Sequence, residues 1–110
     1  MMGRRTQSLV ALAEKQEGRW QVSLQLPGGN WAVSAPQEPQ AIDVVPGSPS
    51  ATARWTVSPE RWRNTDRPLR LNLRSPEGQT LEFTITYASM GSGAVQWLYA
   101  LARSGARLRP

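Results

Sequence analysis

The side chains in this sequence that could do chemistry are arginines and carboxylates, because the chain contains no histidine and no cysteine. These absences remove the usual imidazole base, the thiolate nucleophile and the common zinc ligands together. The eight acids do not recur at a spacing that a helix or strand would bring together. A carboxylate-based enzyme would need Glu60, Asp66 or Glu82 to converge in a cleft. We therefore expect a protein that is not an enzyme and that holds no cofactor or metal.

Arginine supplies twelve of the thirteen basic residues, and the eight acids leave a net charge of +5 and a sequence pI of about 11.1. The planar fork of a guanidinium group suits phosphates and base edges, so this charge permits an anionic partner. GC-rich coding produces the same excess of arginine. Composition alone therefore leaves open whether the excess is functional.

The segment SPERWRNTDRPLR, residues 58–70, places a tryptophan among arginines. Ser58 and Pro59 are residues expected at the N-cap and the first position of a short helical turn. From such a turn Trp62 would cover one end of the core while its arginine neighbours point outward. Asp66 could then pair locally with Arg63 or Arg67, which would reduce the charge offered to a partner. The alternative is that Trp62 contacts nucleic acid directly.

The length of 110 residues suits one compact domain, and we expect residues 1–7 and 106–110 to be flexible. Nine glycines and nine prolines favour a β-rich fold. The apolar run Leu9 to Ala13 is too short for a signal peptide, and no segment approaches the roughly 20 apolar residues that span a bilayer. We expect a soluble, cytoplasmic protein that does not contact membranes.

Alternation of apolar and polar residues predicts that most of the chain forms short strands. The pattern is clearest in RWQVSLQL (19–26), SATARWTVS (50–58), PLRLNLRS (68–75) and TLEFTITY (80–87). PGGN (27–30) predicts a hairpin that joins the first of these to the segment Trp31 to Ala35. SPEGQ (75–79) predicts a second hairpin, and AIDVV (41–45) a further short strand.

The spacing changes in GAVQWLYALARSGARLRP (93–110), where the apolar residues follow the i, i+3, i+4, i+7 pattern of an amphipathic helix. We expect a helix of about three turns, with Ser92 as its N-cap and Gly105 as its stop. Residues 8–17 are ambiguous. Their good helix formers slightly favour a helix from Leu9 to about Glu17, but the segment could instead form a strand that pairs with RWQVSLQL across the turn KQEG.

These elements predict a mainly β fold of the α+β class, a single antiparallel sheet or small barrel of about six strands with the C-terminal helix packed on it. The order of strands followed by a helix resembles the layout of pleckstrin-homology-like domains, with no shared motif. The predicted core consists of Trp20, Leu24, Trp31, Val33, Trp55, Val57, Leu71, Phe83, Ile85, Trp97, Leu98 and Leu101.

The opposite face of the predicted sheet is polar and net positive. Arg70 and Arg74 lie about 13 Å apart along their strand, a distance compatible with tracking successive phosphates. Sheet surfaces that bind single strands also stack bases on exposed aromatic side chains, whereas Trp20, Trp31 and Trp55 all fall on the apolar face. The polar face carries Arg19, Gln21, Ser23, Gln25, Thr52, Arg54, Thr56, Arg70, Asn72, Arg74, Glu82, Thr84 and Thr86.

Two hypotheses about function follow from this pattern. In the first, the protein is a small binding module whose basic surface contacts nucleic acid, single-stranded or RNA, through Arg54, Arg61, Arg63, Arg67, Arg70 and Arg74. In the second, it is a protein-interaction or assembly subunit with no nucleic-acid role. That subunit would bind a protein partner or a second copy through a sheet edge or the exposed side of the helix, around Tyr99 and Arg103.

Overall fold

The computed structural model of the protein describes residues 8–38, 41–87 and 93–102. The strands and the helix are β1 (Ser8–Gln16), β2 (Arg19–Gly29), β3 (Ala32–Ser34), β4 (Asp43–Val45), β5 (Gly47–Val57), α1 (Pro59–Arg63), β6 (Leu69–Arg74), β7 (Thr80–Ile85) and β8 (Val95–Ala102). All described strand pairs are antiparallel and form one eight-stranded sheet in the order β3-β6-β7-β8-β1-β2-β5-β4. The mainly β class is confirmed, with eight strands where about six were expected.

The N-terminal segment forms strand β1, so the helix favoured for Leu9 to about Glu17 is wrong and the alternative strand is correct. The turn to β2 consists of Glu17 and Gly18, whose φ angles are 50° and 80°. Two positive φ angles are the requirement of the tight hairpin turn whose twist matches that of the strands. Inward-facing Leu9 is buried, as are Ala11 and Ala13.

The predicted C-terminal helix is also wrong, because residues 95–102 form strand β8 between β1 and β7. Leu98 and Ala100 are buried, whereas Val95, Trp97 and Leu101 are exposed on the other side of the strand. A strand that is apolar on both faces shows no alternation, and its sequence was therefore interpreted as helical. The likeness to the pleckstrin-homology-like layout depended on that helix and is lost with it.

Several features of that prediction fall outside the part of the chain that the structure describes. They are the proposed cap Ser92, the proposed stop Gly105, and the expected flexible ends at residues 1–7 and 106–110. The described segments form no helix with the length and apolar character needed to cross a membrane.

The expected PGGN hairpin does not form, because β3 pairs with β6 while β2 pairs with β1 and β5. The chain bends at this point through Gly29, which has a φ of 118°. A Cβ atom at Gly29 would lie 2.5 Å from the side chain of Pro76, so only glycine fits there. The indole N–H of Trp31 donates a hydrogen bond of 2.8 Å to the carbonyl of Pro27, which stabilises the bend.

This bend closes the sheet on itself. Strand β2 lies sixth in the sheet order and β3 lies first, yet residues 30 and 31 alone separate them along the chain. Such a short connection can join these positions only if the sheet curls so that its first and sixth strands come close together. The sheet is therefore a nearly closed barrel with its apolar side chains inside.

The predicted hairpin across SPEGQ is confirmed, with β6 and β7 in register from Leu69 opposite Ile85 to Arg74 opposite Thr80. In its turn the hydroxyl of Ser75 accepts a 3.0 Å hydrogen bond from the backbone N–H of Gln79. This hairpin supplies Leu71 and Phe83 to the core, both fully buried.

The short helix α1 closes one end of the barrel, as expected from the Ser58 and Pro59 signals. The hydroxyl of Ser58 accepts a 3.2 Å hydrogen bond from the N–H of Arg61, which caps the helix. Trp62 is 4% exposed and stacks on Trp20, with ring centroids 4.0 Å apart. The prediction that Trp62 covers one end of the core is thus confirmed.

Nine of the twelve predicted core residues are buried, and the two that are exposed share one strand. Trp97 and Leu101 are 62% and 48% exposed, so their assignment to the core is wrong. Val33 is partly buried and packs against the core. The interior also contains a buried hydrogen bond of 2.9 Å from the indole N–H of Trp55 to the hydroxyl of Tyr87.

Candidate binding surface on the outer face of the sheet

Arg61, a predicted nucleic-acid contact, instead makes an ion pair with Glu38. Its Nη2 lies 2.6 Å from Oε2 of Glu38, and its Nε donates to Oε1 at 3.0 Å. The two side chains are only 12% and 10% exposed, and the guanidinium carbon of Arg61 lies 5.1 Å from the ring centroid of Tyr87. The hydrogen bond from Arg61 lowers the pKa of Glu38, and the pKa of Arg61 is raised by the same bond. Arg61 thus fastens α1 to the barrel and offers little charge to a ligand.

The other arginines of this segment are exposed. Arg63 ends α1, and the Arg67 side chain is 60% exposed with its Nη2 3.9 Å from Oε2 of Glu38. The ion pairs of this segment are thus made with Glu38. Asp66 is exposed and takes no part in them, so the local pairing expected for it is not formed.

The three strand arginines among the predicted contacts lie on two strands that do not pair with each other. Arg70 and Arg74 are exposed on β6, whereas Arg54 is exposed on β5. Strands β7, β8, β1 and β2 lie between β6 and β5 in the sheet.

A shallow groove of about 450 Å³ crosses the outer face of β8, β1, β2 and β5. Its apolar side is formed by Val10 and Leu12 on β1 and by Trp97 on β8, and its polar side is formed by β2 and β5 with the last part of β1. We call it the outer-face groove. Its lining residues are Val10, Leu12, Glu14, Gln16, Gln21, Ser23, Gln25, Thr52, Arg54 and Trp97.

The strand registers place the main groups of the groove in one lateral row. Trp97 on β8 lies opposite Leu12 on β1, Leu12 opposite Ser23 on β2, and Ser23 opposite Arg54 on β5. Three strand spacings separate the backbones of Trp97 and Arg54 by about 14 Å. The row therefore leads from an aromatic ring, past a hydroxyl, to a guanidinium group.

Trp97 is the residue of this surface that the sequence analysis missed, because it was assigned to the core side of a helix. It is 62% exposed, whereas Trp20, Trp31, Trp55 and Trp62 are each no more than 8% exposed. Of the five large hydrophobic residues that are exposed in the described part of the chain, four lie on β1 and β8: Val10, Val95, Trp97 and Leu101. The signal for this surface was a pair of strands with apolar residues on both faces.

The charge of the protein is unevenly distributed along the chain. Residues 8–102 contain eight basic and eight acidic residues, so the barrel with its connections is neutral overall. The net charge of +5 comes entirely from the segments before and after it, through Arg4, Arg5, Arg103, Arg107 and Arg109. The net charge of the whole chain therefore says nothing about the charge of the sheet face, which depends on the side chains that the strands expose.

The outer-face groove is lined mostly by uncharged side chains. Its polar side offers side-chain amides and hydroxyls, and its two charged residues are Glu14 and Arg54. Of the acids proposed for an enzymatic site, Glu60 lies in α1 and Glu82 in β7, and Glu60, Asp66 and Glu82 are not among the residues that line the groove. Within the described segments, no three His, Cys, Asp or Glu residues form a group that could hold a metal ion.

Comparisons of the chain with protein-family models, with curated proteins and with solved structures gave no match.

Proposed function

We propose that the protein is a binding module that takes a single strand of nucleic acid in the outer-face groove. The observation that carries this proposal is the exposure of Trp97, at 62%, on the apolar side of a groove whose polar side offers amides, hydroxyls and a guanidinium group. Stacking of a base on an aromatic side chain contributes about 1 to 3 kcal/mol and tolerates any base. The sequence analysis found no exposed aromatic side chain on the sheet, because Trp20, Trp31 and Trp55 all belong to the core. Trp97 is such a side chain.

The polar side of the groove supports the same ligand. Gln21 and Gln25 on β2 carry amide groups that can both donate to and accept from base edges, and Ser23 lies between them. Arg54, at the far end of the row from Trp97, is placed for a phosphate. A duplex hides the faces of its bases, so this arrangement favours a single strand.

The proposal involves fewer of the arginines that were predicted to contact nucleic acid. Arg54 is the member of the six candidate arginines that lines the groove. Arg61 is excluded from it by its ion pair with Glu38. Arg63 and Arg67 belong to α1 and its following loop, at the barrel end closed by Trp62, and serve there as surface charges.

The test is a fluorescence anisotropy titration with a labelled single strand of about 16 nucleotides and with its duplex, the upper site size of small barrel folds. We expect the single strand to bind more tightly than the duplex, and Trp97→Ala to weaken binding by about 5- to 100-fold. Trp97→Phe should retain part of the affinity because its ring can still stack. Thr80→Ala, an exposed change on β7, is the control. Equal binding by the wild type and Trp97→Ala would overturn the proposal.

A second function is supported by the apolar side of the same surface. Val10, Val95, Trp97 and Leu101 form an exposed apolar area with a polar rim, a feature typical of protein interfaces. The occupant would be a protein partner or a second copy of the chain in an assembly. Light scattering over a concentration series and a pull-down from native extract test this function. A stable complex that forms without nucleic acid and is lost in Leu101→Ser supports it, and a monomer that captures no protein contradicts it.

A further inference from the structure

We infer that the outer-face groove selects guanine, with Glu14 accepting hydrogen bonds from the edge of a base that lies on Trp97. This inference rests on the proposed function, and it names the base that the strand presents to the groove. The observation behind it is a carboxylate in a site that otherwise suits a polyanion. Glu14 is the acidic residue among those that line the groove, and it is exposed.

Neither base stacking nor phosphate binding uses Glu14. A carboxylate repels phosphate groups, so in a groove that binds a polyanion it lowers the affinity unless it contacts a donor of the ligand. Glu14 has no ion-pair partner among the residues that the structure describes. Its two carboxylate oxygens can therefore accept hydrogen bonds from a bound base.

The strand registers place Glu14 beside the stacking position. Trp97 lies opposite Leu12 on β1, and Glu14 is two residues further along that strand. All three side chains line the groove. Trp97 and Glu14 are thus diagonal neighbours in an antiparallel pair, about 7 to 8 Å apart and within reach of aromatic and long side chains. A base stacked on the Trp97 ring therefore has one edge close to the Glu14 carboxylate.

The choice of base follows from the edge that each base offers to an acceptor. An ionised carboxylate only accepts hydrogen bonds, and its two oxygens suit two donors that lie side by side. On its Watson–Crick edge, guanine has such a pair in N1–H and the 2-amino group. Adenine and cytosine have one amino donor beside an acceptor, and thymine or uracil has one N–H between two carbonyl groups. A carboxylate therefore makes two charge-assisted hydrogen bonds to guanine and one to each other base.

The neighbouring strand supplies the donor that guanine needs beside this pair. Gln21 on β2 lies opposite Glu14 and lines the same groove. Its side-chain amide can donate to O6, the carbonyl oxygen that adjoins N1 of guanine. Arg54 lies two strands and two residues from Glu14, about 12 Å away, which leaves room for a phosphate contact beyond the base edge. The groove thus offers two acceptors and a donor in the order that guanine requires.

The experiment is a fluorescence anisotropy titration with four labelled thymine strands of about five nucleotides, whose central base is guanine, adenine, cytosine or thymine. We expect the wild type to bind the guanine strand about 5- to 100-fold more tightly than the other three. Glu14→Gln should reduce this preference to less than about 2-fold, because the amide offers one acceptor in place of two. Glu77→Gln is the matched control, since it removes the same charge from the exposed turn between β6 and β7 and should keep the preference.

A strand with inosine in place of guanine tests the same contact from the side of the ligand. Inosine lacks the 2-amino group but keeps N1–H and O6. The wild type should bind the inosine strand more weakly than the guanine strand, and this difference should be smaller in Glu14→Gln. A wild type that does not distinguish the two strands would overturn the role of Glu14.

The outcomes separate this inference from the proposed function. If the four strands bind equally and Trp97→Ala weakens all of them, the inference is wrong and the proposed function stands. If the guanine preference persists in Glu14→Gln, the inference is also wrong. If no strand binds even at low salt, both are wrong. If free guanosine monophosphate competes as strongly as the guanine strand, the groove holds a single nucleotide, which supports Glu14 as the guanine contact and overturns the proposed binding of a strand.

Discussion

The indole ring of Trp62 lies nearly parallel to that of Trp20, with ring centroids 4.0 Å apart and 9° between the ring planes. Trp62 is also 5.4 Å from the ring of Tyr87, so one side chain of a five-residue helix closes the barrel end. We predict that Trp62→Ala lowers the free energy of unfolding by about 3 to 5 kcal/mol, since it leaves a large cavity over the core. Denaturant unfolding measures the loss. Trp97→Ala, an exposed tryptophan, should change stability by no more than about 0.5 kcal/mol, and equal losses for the two variants would contradict this role.

The ion pair of Arg61 and Glu38 gives a prediction for a double-mutant cycle. Both side chains are about nine-tenths buried, so Glu38→Gln leaves a poorly solvated guanidinium without its partner. We expect each of Glu38→Gln and Arg61→Gln to cost about 2 to 4 kcal/mol, and the double variant to cost much less than their sum. Additive losses would show that the pair is not coupled.

The same pair predicts the response to acid. The hydrogen bond from Arg61 lowers the pKa of Glu38 from its ordinary value of 4.5. A carboxyl whose pKa is lowered by folding contributes stability above its unfolded pKa, and this contribution is lost as the pH falls through the folded value. We therefore expect the unfolding free energy of the wild type to fall below about pH 4.5, and that of Glu38→Gln to fall less. Identical acid profiles would contradict this assignment.

Tyr87 predicts the response to alkali. Burial raises the pKa of Tyr87 to about 12, from an ordinary value of 10.0. The stabilising contribution of its neutral form is complete below pH 10 and is lost as the pH rises from about 10 to about 12. Two pKa units correspond to about 3 kcal/mol. Tyr87→Phe should remove this pH dependence, while it lowers stability at neutral pH by about 1 to 3 kcal/mol because the indole N–H of Trp55 loses its acceptor.

The close approach at Gly29 can be tested by comparison with Gly18, which also has a positive φ but has open space where a Cβ atom would lie. Gly18 and Gly29 both have positive φ, at 80° and 118°. A Cβ at Gly18 would meet nothing within 4 Å, whereas one at Gly29 would lie 2.5 Å from Pro76. Gly18→Ala should therefore cost about 1 kcal/mol for its backbone alone, and Gly29→Ala about 1 to 3 kcal/mol more. Thermal unfolding compares them, and a larger loss for Gly18→Ala would refute the close approach.

Alternation identified the strands that have one apolar face. The segments that form β2, β5, β6 and β7 were all predicted as strands. The helix cap at Ser58 and the position of Trp62 over one end of the core were also predicted. In each case the local pattern and the tertiary packing agree. The signals are local ones: period two for a half-buried strand, and a serine followed by proline for a helix start.

The two segments interpreted as helical, β1 and β8, are neighbours that pair with each other. Val10 and Leu12 on β1, with Val95 and Trp97 on β8, place apolar residues on the outer face as well as the inner one. The alternation that marks a strand is thereby lost, and good helix formers such as Ala and Leu remain. The sequence rule thus failed where the protein carries its exposed apolar surface.

The bend at PGGN was missed for another reason. Glycines between two apolar runs are the signal of a hairpin. Whether the second run folds back on the first or joins another strand depends on contacts distant in sequence. Here β3 pairs with β6, and this long-range contact is not visible in a local pattern.

The most direct measurement of the central claim is an NMR titration of the five indole N–H signals with a single-stranded oligonucleotide. Trp97 is exposed and the other four tryptophans are buried, so the signals report on the groove and the core separately. Trp97→Phe assigns the Trp97 signal by its absence. We predict that this signal shifts progressively with added strand while the other four stay in place. A Trp97 signal that does not move at saturating oligonucleotide would contradict binding in the outer-face groove.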